Sequence, residues 1–267
     1  MDENIKIVQE HYDTHVLNEW GRLEGKPEFI LTCRMLDRYI KSGDKVLDIG
    51  GGPGRYSLYL APKGCDVTLF DLSPENIKFA DEKSVELNLP IKTVCGDAKT
   101  VDKIIHAQFD HVLLMGPMYH LLEEADRITA VNSALSLLKP NGIIYVSFIT
   151  LFSGVIELMK LWDSESVIEE IEIEYFKNIV AKKGRAWDGF TKTFMIDQSE
   201  IPPFMSQFSL EKLHLFGQES ITSPFETDIM LQSKENADVW LDLFEKVCER
   251  EDLLSWSQHL MYIGRKI

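Results

Sequence analysis

A chain of 267 residues with 45% hydrophobic content is long enough for one large core and a smaller appended region, and it requires no second independent domain. Its 43 acids against 28 lysines and arginines give a formal charge of -15 with no basic stripe, which excludes nucleic acid as the expected partner and makes a small molecule the default substrate. The four cysteines contain no C-x-x-C pair and the histidines no ligand spacing, so no metal site is expected. Met1 to Glu10 carry no secretory pattern and the longest uncharged apolar run, 142–156, is too short to span a bilayer; a cytoplasmic location with no membrane span is the expectation.

In chain order, residues 1 to about 42 read as two helices. His11-Tyr12-Asp13 and Glu19-Trp20-Gly21-Arg22-Leu23 offer aromatic and charged groups there that can close over a ligand. A short β-branched strand, 45–49, then runs into Gly50-Gly51-Gly52-Pro53-Gly54, where bare backbone can turn sharply and approach a ligand closely. The spacing is G-x-G-x-G. A dinucleotide fingerprint needs its third glycine one position later, where this chain has Arg55, so a dinucleotide-dependent oxidoreductase is a disfavoured alternative. The next strand, 66–70, ends in Asp71, placed to accept hydrogen bonds from ribose hydroxyls, and Ser73-Pro74 opens a helix as N-cap and first-turn proline. Strand 91–95 leads to Gly96-Asp97-Ala98, and strand 110–115 leads to Gly116-Pro117-Met118-Tyr119-His120-Leu121. Ile128, Val131, Leu135 and Leu138 mark a helix that Lys139-Pro140-Asn141-Gly142 terminates before strand 143–149. The alternation of strands and helices predicts a parallel sheet covered on both faces. Further strands are expected at 211–217 and 259–266, with helix from about 233 to 250 between them.

Asp48 to Gly54, Asp71, Gly96 to Ala98 and Phe109 to Leu121 together resemble the class I S-adenosylmethionine-dependent methyltransferases, over roughly residues 40 to 150. The resemblance implies an α/β fold: a doubly wound, mostly parallel, seven-stranded Rossmann-like sheet. It divides the chain into an N-terminal helical lid (1–42), a cofactor-binding core (43–150), an inserted substrate cap (151–205) and closing strands and helix of the core (206–267). The cofactor it implies is S-adenosyl-L-methionine, released as S-adenosyl-L-homocysteine. Gly50, Gly52 and Gly54 are then expected to wrap the methionine portion, with Asp48 orienting the loop or the amino group. Asp71 would hold the ribose, Asp97 the adenine amino group, Ala98 the ring through its N–H, and Leu72 one adenine face. Met115 is expected against the cofactor where the methyl lies. Tyr12 and Arg22 are further candidates from the lid, Arg22 for the methionine carboxylate.

The Gly-Pro-Met-Tyr-His-Leu run is similar to a bacterial-like subgroup acting on small molecules, and it holds the candidate catalytic residues. His120, with an ordinary pKa of about 6.5, is a candidate general base for an in-line methyl transfer, and Tyr119 a candidate to orient the acceptor. Both also read as packing residues. The insert carries Phe152, Met159, Trp162, Tyr175, Phe176, Trp187, Phe190, Phe194, Met195, Phe204 and Met205, either an apolar acceptor pocket or the insert's own core. The acids from Asp163 to Glu174 read as steering for a cationic acceptor or as a solvated helix face, with Val167, Ile168 and Ile171 on its apolar side. The alternatives to a general small-molecule methyltransferase are a quinone- or lipid-precursor methyltransferase and a non-catalytic S-adenosylmethionine-binding protein.

Overall fold

The structure, a computed structural model, describes residues 3–161, 163 and 167–267. Trp162 and Ser164 to Ser166, part of the insert's aromatic set and of its acidic run, lie outside the described residues. In chain order the elements are α1 (Glu3–Thr14), α2 (Val16–Arg22), α3 (Pro27–Tyr39), β1 (Lys45–Ile49), α4 (Arg55–Leu60), β2 (Asp66–Asp71), α5 (Pro74–Leu87), β3 (Lys92–Cys95), α6 (Val101–Ile104), β4 (Phe109–Leu114), α7 (Glu124–Leu137) and β5 (Leu138–Thr150). There follow α8 (Phe152–Leu161), α9 (Glu170–Ala181), β6 (Arg185–Asp188), β7 (Lys192–Ile196), α10 (Ile201–Met205), β8 (Leu210–Gly217), α11 (Glu226–Met230), α12 (Lys234–Val247) and β9 (His259–Lys266). The N-terminal region thus holds three helices rather than two: Pro27 starts α3 at a position where its missing N–H costs nothing.

Strands β3, β2, β1, β4 and β5 lie side by side and parallel, and β9 runs antiparallel to β5 with β8 outside it. This is the doubly wound arrangement with an antiparallel closing hairpin. Because side chains alternate across a strand, Ile144, Val146 and Phe148 face one core with Val131 and Ala134 of α7. Tyr145 faces the other, with Met35 and Leu36 of α3. Ser73 caps α5 as expected, accepting from Asn76 N–H.

Among the described residues the sheet has nine strands, not seven. The two additional ones, β6 and β7, come from the insert. β7 pairs parallel to the end of β5 (Ile149 with Met195, Thr150 with Ile196), while β9 occupies the other edge of β5 as far as Ile149. The β6–β7 hairpin therefore continues the sheet on the β4 side, directly beyond the point where β4 stops. The extra strands form because Thr193 and Met195 on one face and Ile196 on the other are buried, and Trp187 opposite Thr193 completes the antiparallel pair. Most of the insert's aromatics serve packing. Tyr175, Met195, Phe176 and Trp187 form a satellite core, and Phe194, Phe204 and Met205 join the main one. Val167, Ile168 and Ile171, expected on a buried helix face, are exposed, and only Tyr175 of α9 is buried.

Arg127 ties these parts together. Buried on α7, it donates from Nη1 to the carbonyls of Leu121 (2.6 Å) and Leu122 (2.7 Å), and its guanidinium lies 3.6 Å over the Phe194 ring of β7. Arg127→Met keeps the stem but leaves the buried Leu121 and half-buried Leu122 carbonyls without this donor. The variant is expected to lose about 2 to 3 kcal/mol of stability in urea unfolding; a loss below about 0.5 kcal/mol would show that the guanidinium does not fasten the loop.

Candidate active site

All parallel strands end at the same edge, so the loops after β1, β2, β3 and β4 converge there, where ligands bind in open α/β sheets. Gly50 is in the left-handed region (φ +71°), and a Cβ on it would lie 2.4 Å from Pro117 Cδ, so the loops after β1 and β4 touch only because this residue is glycine. Gly50 N–H donates to Phe70 C=O (2.7 Å) and Gly52 N–H to Asp71 Oδ2 (2.8 Å), which fastens the glycine loop to the end of β2. Asp71 Oδ1 accepts from Ser73 N–H (2.9 Å) and Asn76 Nδ2 (3.2 Å). Burial raises its pKa, against the lowering effect of these donors.

The resulting cavity holds about 1120 Å³ of empty space, open to solvent. Among the expected site residues, Tyr12, Arg22, Gly50, Gly52, Asp71, Leu72, Asp97, Ala98, Met115, Tyr119 and His120 all line it. Two do not. Gly54 (φ +89°) lies behind the loop as the N-cap of α4, and Asp48 is fully buried beneath it, accepting from Ser57 Oγ (2.7 Å). Asp48 Oδ1 has no partner among the described residues, and burial pushes the carboxyl up to about 7. The native chain thus holds a proton that an unfolded aspartate near 3.8 has released, and the stability this group contributes is lost as pH rises through 7.

The N-terminal helices form one wall of the cavity. Ser73 Oγ donates to Asp13 Oδ1 (2.5 Å), and Arg55 stacks on Trp20 (3.8 Å) while donating from Nε to its carbonyl (2.5 Å). Arg55, whose place in the sequence argued only against a dinucleotide, is therefore the clamp between lid and glycine loop. Arg22 is held by Glu28 (Nη1 to Oε2, 2.7 Å) and Glu19 (Nε to Oε2, 3.2 Å), and its Nη2 makes no hydrogen bond among the described residues. By contrast, no described residue of 151–205 lines the cavity, so the insert is not the wall that the sequence suggested.

His120 differs most from expectation. Its Nδ1 donates to Lys192 C=O (3.0 Å), which leaves Nε2 to accept from Tyr12 O–H (2.7 Å). Burial pulls its pKa down to about 4, so the near-neutral value expected of a base is absent. An unfolded histidine takes a proton near 6.5 that the native one refuses until about 4; this group therefore costs stability as pH falls through that window. Burial likewise raises the Tyr12 and Tyr119 hydroxyl pKa values, keeping both phenols protonated.

Beside Tyr119 lies a network that the sequence did not reveal. Glu28, Ser147 and Gln218 line the cavity; Ser147 Oγ donates to Gln218 Oε1 (2.5 Å), and Gln218 Nε2 to Thr32 Oγ1 (2.9 Å). Behind Glu28, His259 Nδ1 bonds Glu219 Oε1 (2.5 Å) and lies 4.0 Å from Glu28 Oε2. Burial lowers the His259 pKa, but the Glu28 and Glu219 carboxylates outweigh it and raise the net value above 6.5. Glu219 also accepts from Ser257 Oγ (2.6 Å) and His259 N–H (3.0 Å), and is held below its ordinary value despite its burial. These residues come from α3, β5 and the β8 and β9 ends, and no linear spacing announces them.

A methyltransferase domain model matches residues 46–142. The ubiquinone biosynthesis O-methyltransferase of Haemophilus ducreyi is 32% identical over 179 residues, 66% of this chain and 68% of that protein. A glycine/sarcosine N-methyltransferase of Parasynechococcus marenigrum is 29% identical over 144 residues, 51% of this chain; the chain spans about half the length of that relative. In fold, the magnesium protoporphyrin IX methyltransferase of Synechocystis, solved with S-adenosylhomocysteine, superposes over 99% of this chain and all of its own (TM-score 0.59, 12% identity). With the strand order, the strand-end loops and these similarities in agreement, the chain belongs to the class I S-adenosylmethionine-dependent methyltransferases.

Proposed function

We propose that the protein transfers a methyl group from S-adenosyl-L-methionine to a small-molecule acceptor. The observation that carries this is the continuity of one cavity, from Asp71, Leu72, Asp97 and Ala98 past Gly50, Gly52 and Met115 to Tyr12, Arg22, Tyr119 and Gln218. In this reading the unused lone pairs of Asp71 take the ribose hydroxyls, Asp97 and Ala98 the adenine edge, and Leu72 its face. The methionine portion lies along the Gly50 to Gly52 backbone, with its carboxylate on the free Nη2 of Arg22. Asp48 and Gly54 support the loop from behind. The acceptor approaches from the side of Tyr119, Glu28 and Gln218. Methyl transfer from a sulfonium expels a neutral thioether, so alignment of acceptor, methyl and sulfur is the main demand on the protein. We assign that task to Tyr12 and Tyr119, with His120 as a positioning residue whose two nitrogens hold the lid to the β6–β7 hairpin. The similarity to the Haemophilus ducreyi enzyme favours, as a second reading, a hydroxylated quinone precursor as acceptor.

Titration with S-adenosylmethionine tests the cofactor site. Asp71→Ala, checked for folding, is expected to weaken binding by about 1.5 to 3 kcal/mol, the scale of a hydrogen bond to a charged group; no binding by folded, ligand-free wild type overturns the reading. For His120, imidazole resonances are expected to titrate near pH 4 with Nδ1 protonated. His120→Asn, which retains a donor, is expected to keep more turnover than His120→Ala; a titration midpoint above about 6 would return His120 to the role of base.

A further inference from the structure

We propose that the acceptor is an amine, cationic in solution, and that Glu28 and Glu19 select it. The inference rests on the methyltransferase reading of the cavity and goes beyond it to substrate class. The cavity wall carries four carboxylates, Glu19, Glu28, Asp71 and Asp97, and two cations, Arg22 and Arg55. Arg55 is already engaged, stacked on Trp20 and paired with Glu24 (3.2 Å). Asp71 and Asp97 sit at the nucleotide end, each accepting backbone N–H bonds. At the other end three carboxylates, Glu19, Glu28 and Glu219, face two cations among the described residues: Arg22, which bridges Glu19 and Glu28, and His259, which meets Glu219 at 2.5 Å and Glu28 at 4.0 Å. Three carboxylates against two cations leave one negative charge without a protein counterion, and Glu28 and Glu219 are largely buried, where the attraction between charges is stronger than in water. The cofactor's own carboxylate and ammonium cancel in this count, and with S-adenosylhomocysteine, whose sulfur is neutral, the demand for positive charge remains.

The surrounding groups suit an ammonium. Tyr12 and Tyr119 line the same end, and aromatic rings attract cations. Gln218 and Ser147 bond each other at the cavity floor. A phenolate or carboxylate acceptor would instead meet uncompensated like charge, the repulsive element on which specificity often rests. The chemistry balances. The ammonium releases one proton to solvent through the open mouth, and the nitrogen lone pair forms the N–C bond as the C–S bond breaks. The C–S pair stays on sulfur as a neutral thioether, and the positive charge passes to the methylated nitrogen. No side chain need act as a strong base, in keeping with the low basicity of His120.

The test uses the full chain saturated with S-adenosylhomocysteine and compares calorimetric binding of benzylamine, benzyl alcohol and catechol. Benzylamine is expected to bind at least about tenfold tighter than the isosteric alcohol, and the preference is expected to collapse in Glu28→Gln and, independently, in Glu19→Gln. Each variant is first titrated with S-adenosylhomocysteine, so that a misfolded protein is set aside and the other variant decides. Equal or tighter binding of the alcohol or catechol, an amine preference that survives both substitutions, or no detectable benzylamine binding overturns the proposal while leaving the cofactor reading intact. Failure of the wild type to bind S-adenosylhomocysteine overturns both.

Discussion

The hydrogen bond from Gly52 N–H to Asp71 Oδ2 is the constraint on which the site depends. It joins the ends of two neighbouring parallel strands across the place where a ligand would enter, and it fixes a loop whose own residues have little side chain to hold it. The same carboxylate reaches Ser73 N–H and Asn76, and Ser73 in turn reaches Asp13 of the lid. One buried acid therefore organises the glycine loop, the start of α5 and, through one intermediary, the N-terminal helices. A carboxylate can do this because it accepts several bonds at once, and burial is tolerable because each oxygen already has a donor.

The same economy explains which parts of the molecule could be read from the chain. β1, β2, β4 and β5 each carry a short apolar run near glycine, acid or proline, and the strand-end motifs are local, so the parallel sheet and the part of the cavity built by the strand-end loops are legible. Gly54 was assigned to the ligand because spacing records that a glycine is required, not why. Its positive φ serves the start of α4. Asp48 shows the same ambiguity, since an acid at a strand end reads alike whether it faces ligand or core.

The end of the cavity at Glu28 and Gln218 is largely illegible for a different reason. Glu28 occupies the first turn of α3, where an acid is ordinary on helix-dipole grounds. Gln218, Glu219, Ser257 and His259 lie where strands end, with no spacing that distinguishes them from solvated polar residues. Only closure of the β8–β9 hairpin against β5, and packing of α3 over it, brings them together. Buried charge of this kind is costly unless it is paired, and both carboxylate oxygens of Glu219 accept, from Ser257 Oγ, His259 N–H and His259 Nδ1.

His120 shows how an inserted element changes the chemistry of a residue it does not replace. Without β6 and β7, a histidine after β4 would face a solvated strand end, where its ordinary pKa suits proton transfer. The hairpin extends the sheet past β4, sets the Lys192 carbonyl on Nδ1 and brings Phe190 within 5.8 Å of the ring. The ring is thereby fixed in one tautomer and dried, and its remaining lone pair is turned to Tyr12. What the hairpin gives the active site is thus rigidity at the joint between lid and sheet, gained by removing the histidine's capacity to carry a proton near neutral pH.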